Sequence, residues 1–134
     1  IEMSKAPLLY YLWYLEKRFK GEGWVTNPRS GKHRDLAFGK ELEDCYERYG
    51  GDRRSLKRLQ DADGEMLGVT ADTLRDMRSK IKKAITMVIT DTELASPYLV
   101  EDSRPSVKNP GGKDFRVALS PRYIHIHSGL HDNL

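Results

Sequence analysis

Arg75, Arg78, Ser79 and Lys82 recur within TADTLRDMRSKIKKAI, residues 70–85, at spacings that put them on one arc of a helix. Cationic side chains so arranged can donate to phosphate oxygens, and a long arginine can reach the edge of a base. An α-helix fits the major groove of B-form DNA, and its flanks need cations for the phosphates on either side. Lys83 extends the basic arc, and Thr73 adds a hydroxyl near its start. The same stretch also fits a plainer description, since charged solvent faces are the rule on helices that pack one side into a core.

Other chemistry is less well provided for. His125, His127 and His131 lie close together with Asp132 beside them, and an H-x-H pair can put two imidazoles on one side of a strand, as zinc requires. No cysteine or second cluster stands nearby to complete a site, so no metal is assigned. Asp61-Ala62-Asp63-Gly64 begins like a calcium loop, but its glycine comes fourth rather than sixth, and it reads as a turn. No G-x-S-x-G, H-E-x-x-H or framed Cys–His pair occurs. No catalytic residue and no cofactor are therefore assigned, and the chain reads as a non-enzyme.

Composition sets the bounds. A chain of 134 residues suits one domain and can bury a core without disulfides or metal. Its formal charge of +3 permits an acidic partner without demanding one, so the placing of the cations matters more than their sum. The lone cysteine, Cys45, excludes an intramolecular disulfide and points to a reducing cytoplasm. It sits in a helical pattern, ELEDCYERY, where a free thiol packs as a small hydrophobe. The most apolar run, PLLYYLWYL at 7–15, is far shorter than the ~18 residues of a membrane span. Lys17, Arg18 and Lys20 follow it rather than precede it, which does not suit a signal peptide. The opening Ile1-Glu2-Met3 admits tag residues or a longer parent protein.

The elements that must position the basic arc can be read in outline. Pro7 and the apolar spacing after it predict a first helix over 7–20, ended by Gly21 and Gly23. WVTNPRSGKHRD, 24–35, reads as a basic loop. A second helix spans 36–49 and stops at Gly50-Gly51. A short third, near 55–61, carries Arg53 and Arg54 at its start, with Asp52 as its cap. The fourth runs from 70 to 88, with Thr70 as N-cap and Asp72 in the first turn. Its Leu74, Met77, Ile81, Ala84, Ile85 and Val88 share one apolar arc. SPYLV (96–100) and DFRVALS (114–120) then read as two strands, the second with Phe115, Val117 and Leu119 alternating. Residues 121–134 are a short extra strand or a frayed tail. Helices first and a terminal hairpin last define an α+β chain of three to four helices, in one domain over 1–134.

The order TLRDMRSKIKKAI, then SPYLVEDSRPSVKNPGGKDFRVAL, resembles the C-terminal winged-helix effector domain of OmpR/PhoB-type response regulators. That family carries an R-x-x-I/V-x-x-L-R-x-K-L recognition helix, then a wing hairpin ending in a G-x-G-Y-x-L strand. Arg75 to Ile81 matches the helix, and Gly111 to Val117 matches the wing strand. LLYYLWYLEKRFKGEGWVT resembles the family's first helix and the turn after it, so the likeness runs loosely from about residue 7 to 120. Lys113-Asp114-Phe115 stands where the family has its glycine-tyrosine pair, and nothing before Leu8 matches the family's N-terminal sheet.

The resemblance implies a winged helix-turn-helix that docks on double-stranded DNA, for transcriptional control or for placing a larger protein on DNA. The helix at 70–88 would enter the major groove and the hairpin at 97–119 would serve as the wing. Arg75 and Arg78 are then expected at or beside bases, with Thr73 and Ser79 in support. Lys82, Lys83, Arg53 and Arg54 would hold phosphates, and Lys108 and Lys113 would act from the wing. A second copy or a larger parent protein are the further partners this reading admits, and a membrane is not among them. The alternative is a protein-interaction module whose first helix offers Tyr10, Tyr11, Trp13 and Tyr14 to a partner or a second copy.

Overall fold

Pro7 in the first turn and apolar side chains at helical spacing start the chain as α1 (Lys5–Phe19). In this computed structural model, which describes residues 3–29, 31–106 and 113–123, α1 is the element that most others touch. It packs on α2 (Leu36–Tyr49), on a 3-10 helix (Arg53–Leu59), on α3 (Ala71–Val88) and on β3 (Lys113–Val117). Leu9, Tyr10, Trp13 and Tyr14 form its buried stripe. They meet Leu42 and Cys45 of α2, Leu56 and Leu59, the α3 residues Leu74, Met77, Ile81 and Ile85, and Val25 and Val117 of the sheet in one cluster. Each large side chain buried there contributes roughly 1.5–3 kcal/mol.

Local signals set the helix ends. The Asp35 carboxylate accepts from the Phe38 N–H at 2.8 Å to open α2, and Gly50, with φ of 77°, closes it. Asp52 accepts from the Arg54 N–H at the head of the 3-10 helix. Thr70 accepts from the Thr73 N–H, and Asp72 lies in the first turn of α3, where the helix dipole favours an acid.

The strands form a three-stranded antiparallel sheet in the order β1-β3-β2, from β1 (Val25–Thr26), β3 and β2 (Val100–Pro105). The strand that follows α1 therefore pairs with β3, Val25 opposite Phe115 and Thr26 opposite Asp114. On its other edge β3 pairs with β2, Val100 opposite Val117. The chain is α+β, with its helices and this sheet sharing one core.

A close backbone approach fixes where α3 begins. Asp35 and Val69 exchange two backbone hydrogen bonds of 2.8 and 3.0 Å. Beside them Gly39 and Gly68 touch: a Cβ on Gly39 would lie 2.8 Å from the Gly68 Cα. Gly68 has φ of 103°, and a Cβ there would lie 2.7 Å from the Asp35 carbonyl carbon. Only glycine meets both demands. The start of α3 is thereby stitched to the start of α2.

The structure departs from the sequence reading at several points. Residues 24–35 are not all loop, because Val25 and Thr26 are held as a strand by β3. The segment near 55–61 is a 3-10 helix over Arg53–Leu59 rather than an α-helix. The strand expected at 96–100 begins only at Val100. Before it come α4 (Thr92–Ala95), capped by the Asp91 carboxylate, and a 3-10 turn (Ser96–Tyr98) with Pro97 in its first residues. Val88 is 60% exposed, since α3 runs on past the core. In β3 the buried residues are Asp114 and Val117, with Phe115 half-covered. A register shift in β2 between Glu101 and Arg104 interrupts the two-residue alternation opposite them. The Thr26 hydroxyl donates to the buried Asp114 carboxylate at 2.8 Å. Pro121–Tyr123 is a 3-10 turn, and the expected extra strand from Ile124 onward lies outside the described residues.

Candidate nucleic-acid interface

The buried stripe of α3, Thr73, Leu74, Met77, Ile81 and Ile85, turns the opposite side of the helix outward. Arg75, Ser79, Lys82 and Lys83 are exposed there. The sheet stands beside this surface because β3 packs on α1, which also carries α3. Between α3 and the hairpin lies a groove of about 400 Å³. Arg75, Arg78, Ser79 and Lys82 form its helical wall, and Leu99, Val100, Asp102 and Phe115 form the wall facing them. It is cationic on one side and largely apolar on the other.

The cations are not alike. Arg75 pairs with Asp72 at 2.8 Å, one helical turn back, and its side chain is 74% exposed. Such a pair is worth little in water and frees the guanidinium at small cost. Lys80 pairs with Asp76 at 3.3 Å, and Arg58 reaches the same carboxylate at 2.6 Å. The Arg58 hydrogen bond, with Lys80 behind it, holds the Asp76 carboxyl below its usual range. Lys82 and Lys83 meet no acid among the described residues and are the most available charges on the helix.

Arg78 is half-buried and differently employed. Its Nη1 donates to the Tyr14 hydroxyl at 3.3 Å and to Asn27 Oδ1 at 3.2 Å. Its guanidinium carbon lies 3.6 Å from the centre of the Phe115 ring. One side chain of α3 thus touches α1, the segment after β1, and β3. Burial raises the Tyr14 phenol above its ordinary pKa, and the nearby Arg78 charge acts in the opposite sense.

The remaining residues assigned from sequence fall as follows. Thr73 is 3% exposed, with Oγ1 3.0 Å from the Thr70 hydroxyl. The expected supporting contact from Thr73 is corrected on this point: its side chain completes the helix cap and faces inward. Arg53 and Arg54 are exposed on the 3-10 helix and do not line the groove. Arg54 is held on the Asp52 carboxylate at 2.6 Å. Lys113 stands at the start of β3 and pairs with Asp102 at 3.5 Å. Lys108 lies outside the described residues, as do His125, His127 and His131. Among the described residues no three His, Cys, Asp or Glu gather as a metal site. No described helix is long and apolar enough to cross a membrane.

The aromatic first helix proves to be interior. Tyr10, Trp13 and Tyr14 are at most 1% exposed. Tyr11 is partly covered and donates through its hydroxyl to the Tyr98 carbonyl at 2.6 Å. The rings that were candidates for a partner surface belong instead to the core, because α1 is covered from several sides. Asp102, Phe115 and Asn27 were not singled out as site residues from sequence, and Tyr14 was considered only as a partner-facing ring. Asp102, Phe115 and Asn27 come to the groove through the pairing of the strands they lie on or follow, and no local pattern marks that.

No protein family, curated protein or solved structure matches this chain. The functional reading therefore stands on the geometry of the groove and the helix.

Proposed function

We propose that this chain is a winged helix-turn-helix module that binds double-stranded DNA, with α3 as the recognition helix and the β2–β3 hairpin as the wing. One observation carries the reading: the hairpin stands beside the cationic wall of α3, so that Arg75, Arg78 and Lys82 line one groove with it. Support comes from the element order, in which a strand after the first helix pairs with β3 and the hairpin follows the basic helix. Phosphate contacts from Lys82 and Lys83 would supply sequence-independent affinity, and Arg75 with Ser79 would face base edges. Such a module acts by docking, in transcriptional control or in placing a larger protein on DNA, and needs no catalysis.

The test is a fluorescence-anisotropy titration of random-sequence duplex DNA at several salt concentrations. An Arg75→Ala/Lys82→Ala/Lys83→Ala protein serves as the comparison. Its three side chains are exposed, so folding should be spared. Binding that weakens steeply with salt, with a shallower slope for the variant, supports the proposal. Equal binding by the two proteins would sink it.

A second reading has its own observation. Met87, Val88 and Leu94 are 60–73% exposed at the far end of α3 and in α4. Exposed apolar side chains of this size can mark a protein contact. Sedimentation of wild type against Met87→Ser/Leu94→Ser decides it: a self-associating wild type dispersed by the variant favours association, and a wild-type monomer removes self-association.

A further inference from the structure

Among the described residues, the side chain of Arg78 is held by neutral groups alone. Its partners are a phenol, a carboxamide and an aromatic ring. Among the described residues no carboxylate lies within salt-bridge distance of it. A guanidinium drawn partly away from bulk water gains from a counter-charge, because uncompensated charge is costly there. Here the acid is missing while the charge lines an open groove together with Arg75 and Lys82. The groove's own acid, Asp102, is drawn toward Lys113.

A guanidinium carries five N–H donors. Within the described structure the hydrogen bonds of Arg78 leave from Nη1 alone, so Nε and Nη2 keep donors to give. Anchoring on Tyr14, Asn27 and Phe115 also stops the side chain from extending outward. A guanidinium tied back in this way stays within the groove instead of reaching out to a base edge, and there its remaining N–H donors can meet a backbone phosphate.

We propose that Arg78 and Lys82 clamp one backbone phosphate in the α3–hairpin groove, with the attached sugar against Leu99 and Val100. This rests on the DNA-binding reading and changes the part Arg78 plays in it, from base contact to register-setting phosphate contact. The missing counter-charge is then supplied by the ligand. Because the contact is with the backbone, it carries no sequence preference.

The experiment compares wild type, Arg78→Lys and Arg78→Met by duplex-DNA titration across salt, with thermal melts to confirm folding. Arg78→Met is expected to bind every sequence roughly tenfold more weakly and to lower the salt slope by about one, while Arg78→Lys keeps most of the slope. Should Arg78→Met fail to fold, the wild-type protein still answers. The Nε–H signal of Arg78, followed by NMR, is expected to shift on adding duplex DNA and, more weakly, on adding inorganic phosphate. A wild type that ignores DNA defeats the DNA reading and the clamp together. DNA binding with an unmoved Arg78 signal or an unchanged slope defeats the clamp alone. So does loss of preference at a single base position, which would return Arg78 to base reading.

Discussion

The Arg78 guanidinium stacks 3.6 Å from the centre of the Phe115 ring while its Nη1 donates to Tyr14. Those contacts tie α3 to β3 and α1 at one point in the lining of the groove. Arg78→Met should cost about 2–3 kcal/mol, because a charged hydrogen bond and a cation–π contact go and a buried phenol is left bare. In a double-mutant cycle by urea denaturation, Arg78→Met and Tyr14→Phe should couple, the pair costing less than the two singles summed.

Tyr10 offers the opposite case. Its hydroxyl is buried with no hydrogen-bond partner among the described residues, and burial raises its pKa well above the ordinary tyrosine range. Removing an unsatisfied buried hydroxyl returns its desolvation cost, so Tyr10→Phe should raise stability by up to about 1 kcal/mol. A melting temperature lowered by this substitution would contradict the placing of the phenol.

Gly68 cannot take a side chain. Its φ of 103° and the 2.7 Å approach of a Cβ to Asp35 combine backbone strain with a clash against main chain. Gly68→Ala should destabilise the protein by roughly 2–4 kcal/mol. The contrast is Gly64→Ala, which meets open space though φ is 83°, and should cost less. Equal denaturant midpoints for the two variants would argue against the α2–α3 stitch.

Glu16 sets an acid limit. Burial pushes its carboxyl upward, but hydrogen bonds from Arg48 and Tyr49 outweigh this and leave it below the ordinary glutamate value of 4.5. A depressed carboxylate contributes stability that is present above that value and lost as pH falls through the folded-state pKa. Glu16→Gln should therefore lower stability at neutral pH and flatten its decline below about pH 4.5. Denaturation midpoints measured from pH 7 down to 3 would show the curves converging in acid. Parallel curves would remove Glu16 from the acid transition.

What the sequence disclosed follows the range of the signals. The bounds of α2 and α3 were legible to within a residue, because the apolar stripe of each, the stopping glycines after α2 and the capping Thr70 before α3 act locally. β1 was not, since two residues become a strand only through partners some ninety positions away. The basic face of α3 was legible as a pattern, yet the pattern could not separate its members. Arg78 lies next to the apolar stripe and turns under the sheet, while Arg75 and Lys82 stay outside. Thr73 was open to a better reading: it stands three residues after the N-cap threonine, where a hydroxyl can join the cap. Asp102 and Phe115 had no such clue, because the opposite wall of the groove is assembled by pairing across the sheet.

The pairing of Val25 with Phe115 also sets an order of events. The helices can form and begin to collect around α1 while the chain is still being made. The groove cannot, because one of its walls is contributed by β3, whose partner Val25 precedes it by some ninety positions, and contacts so distant in sequence form slowly. Nascent or truncated chains ending before Lys113 would carry the cations of α3 without the wall that orients them. Such a chain would hold charge without shape, and the contact proposed for the groove would be absent from it.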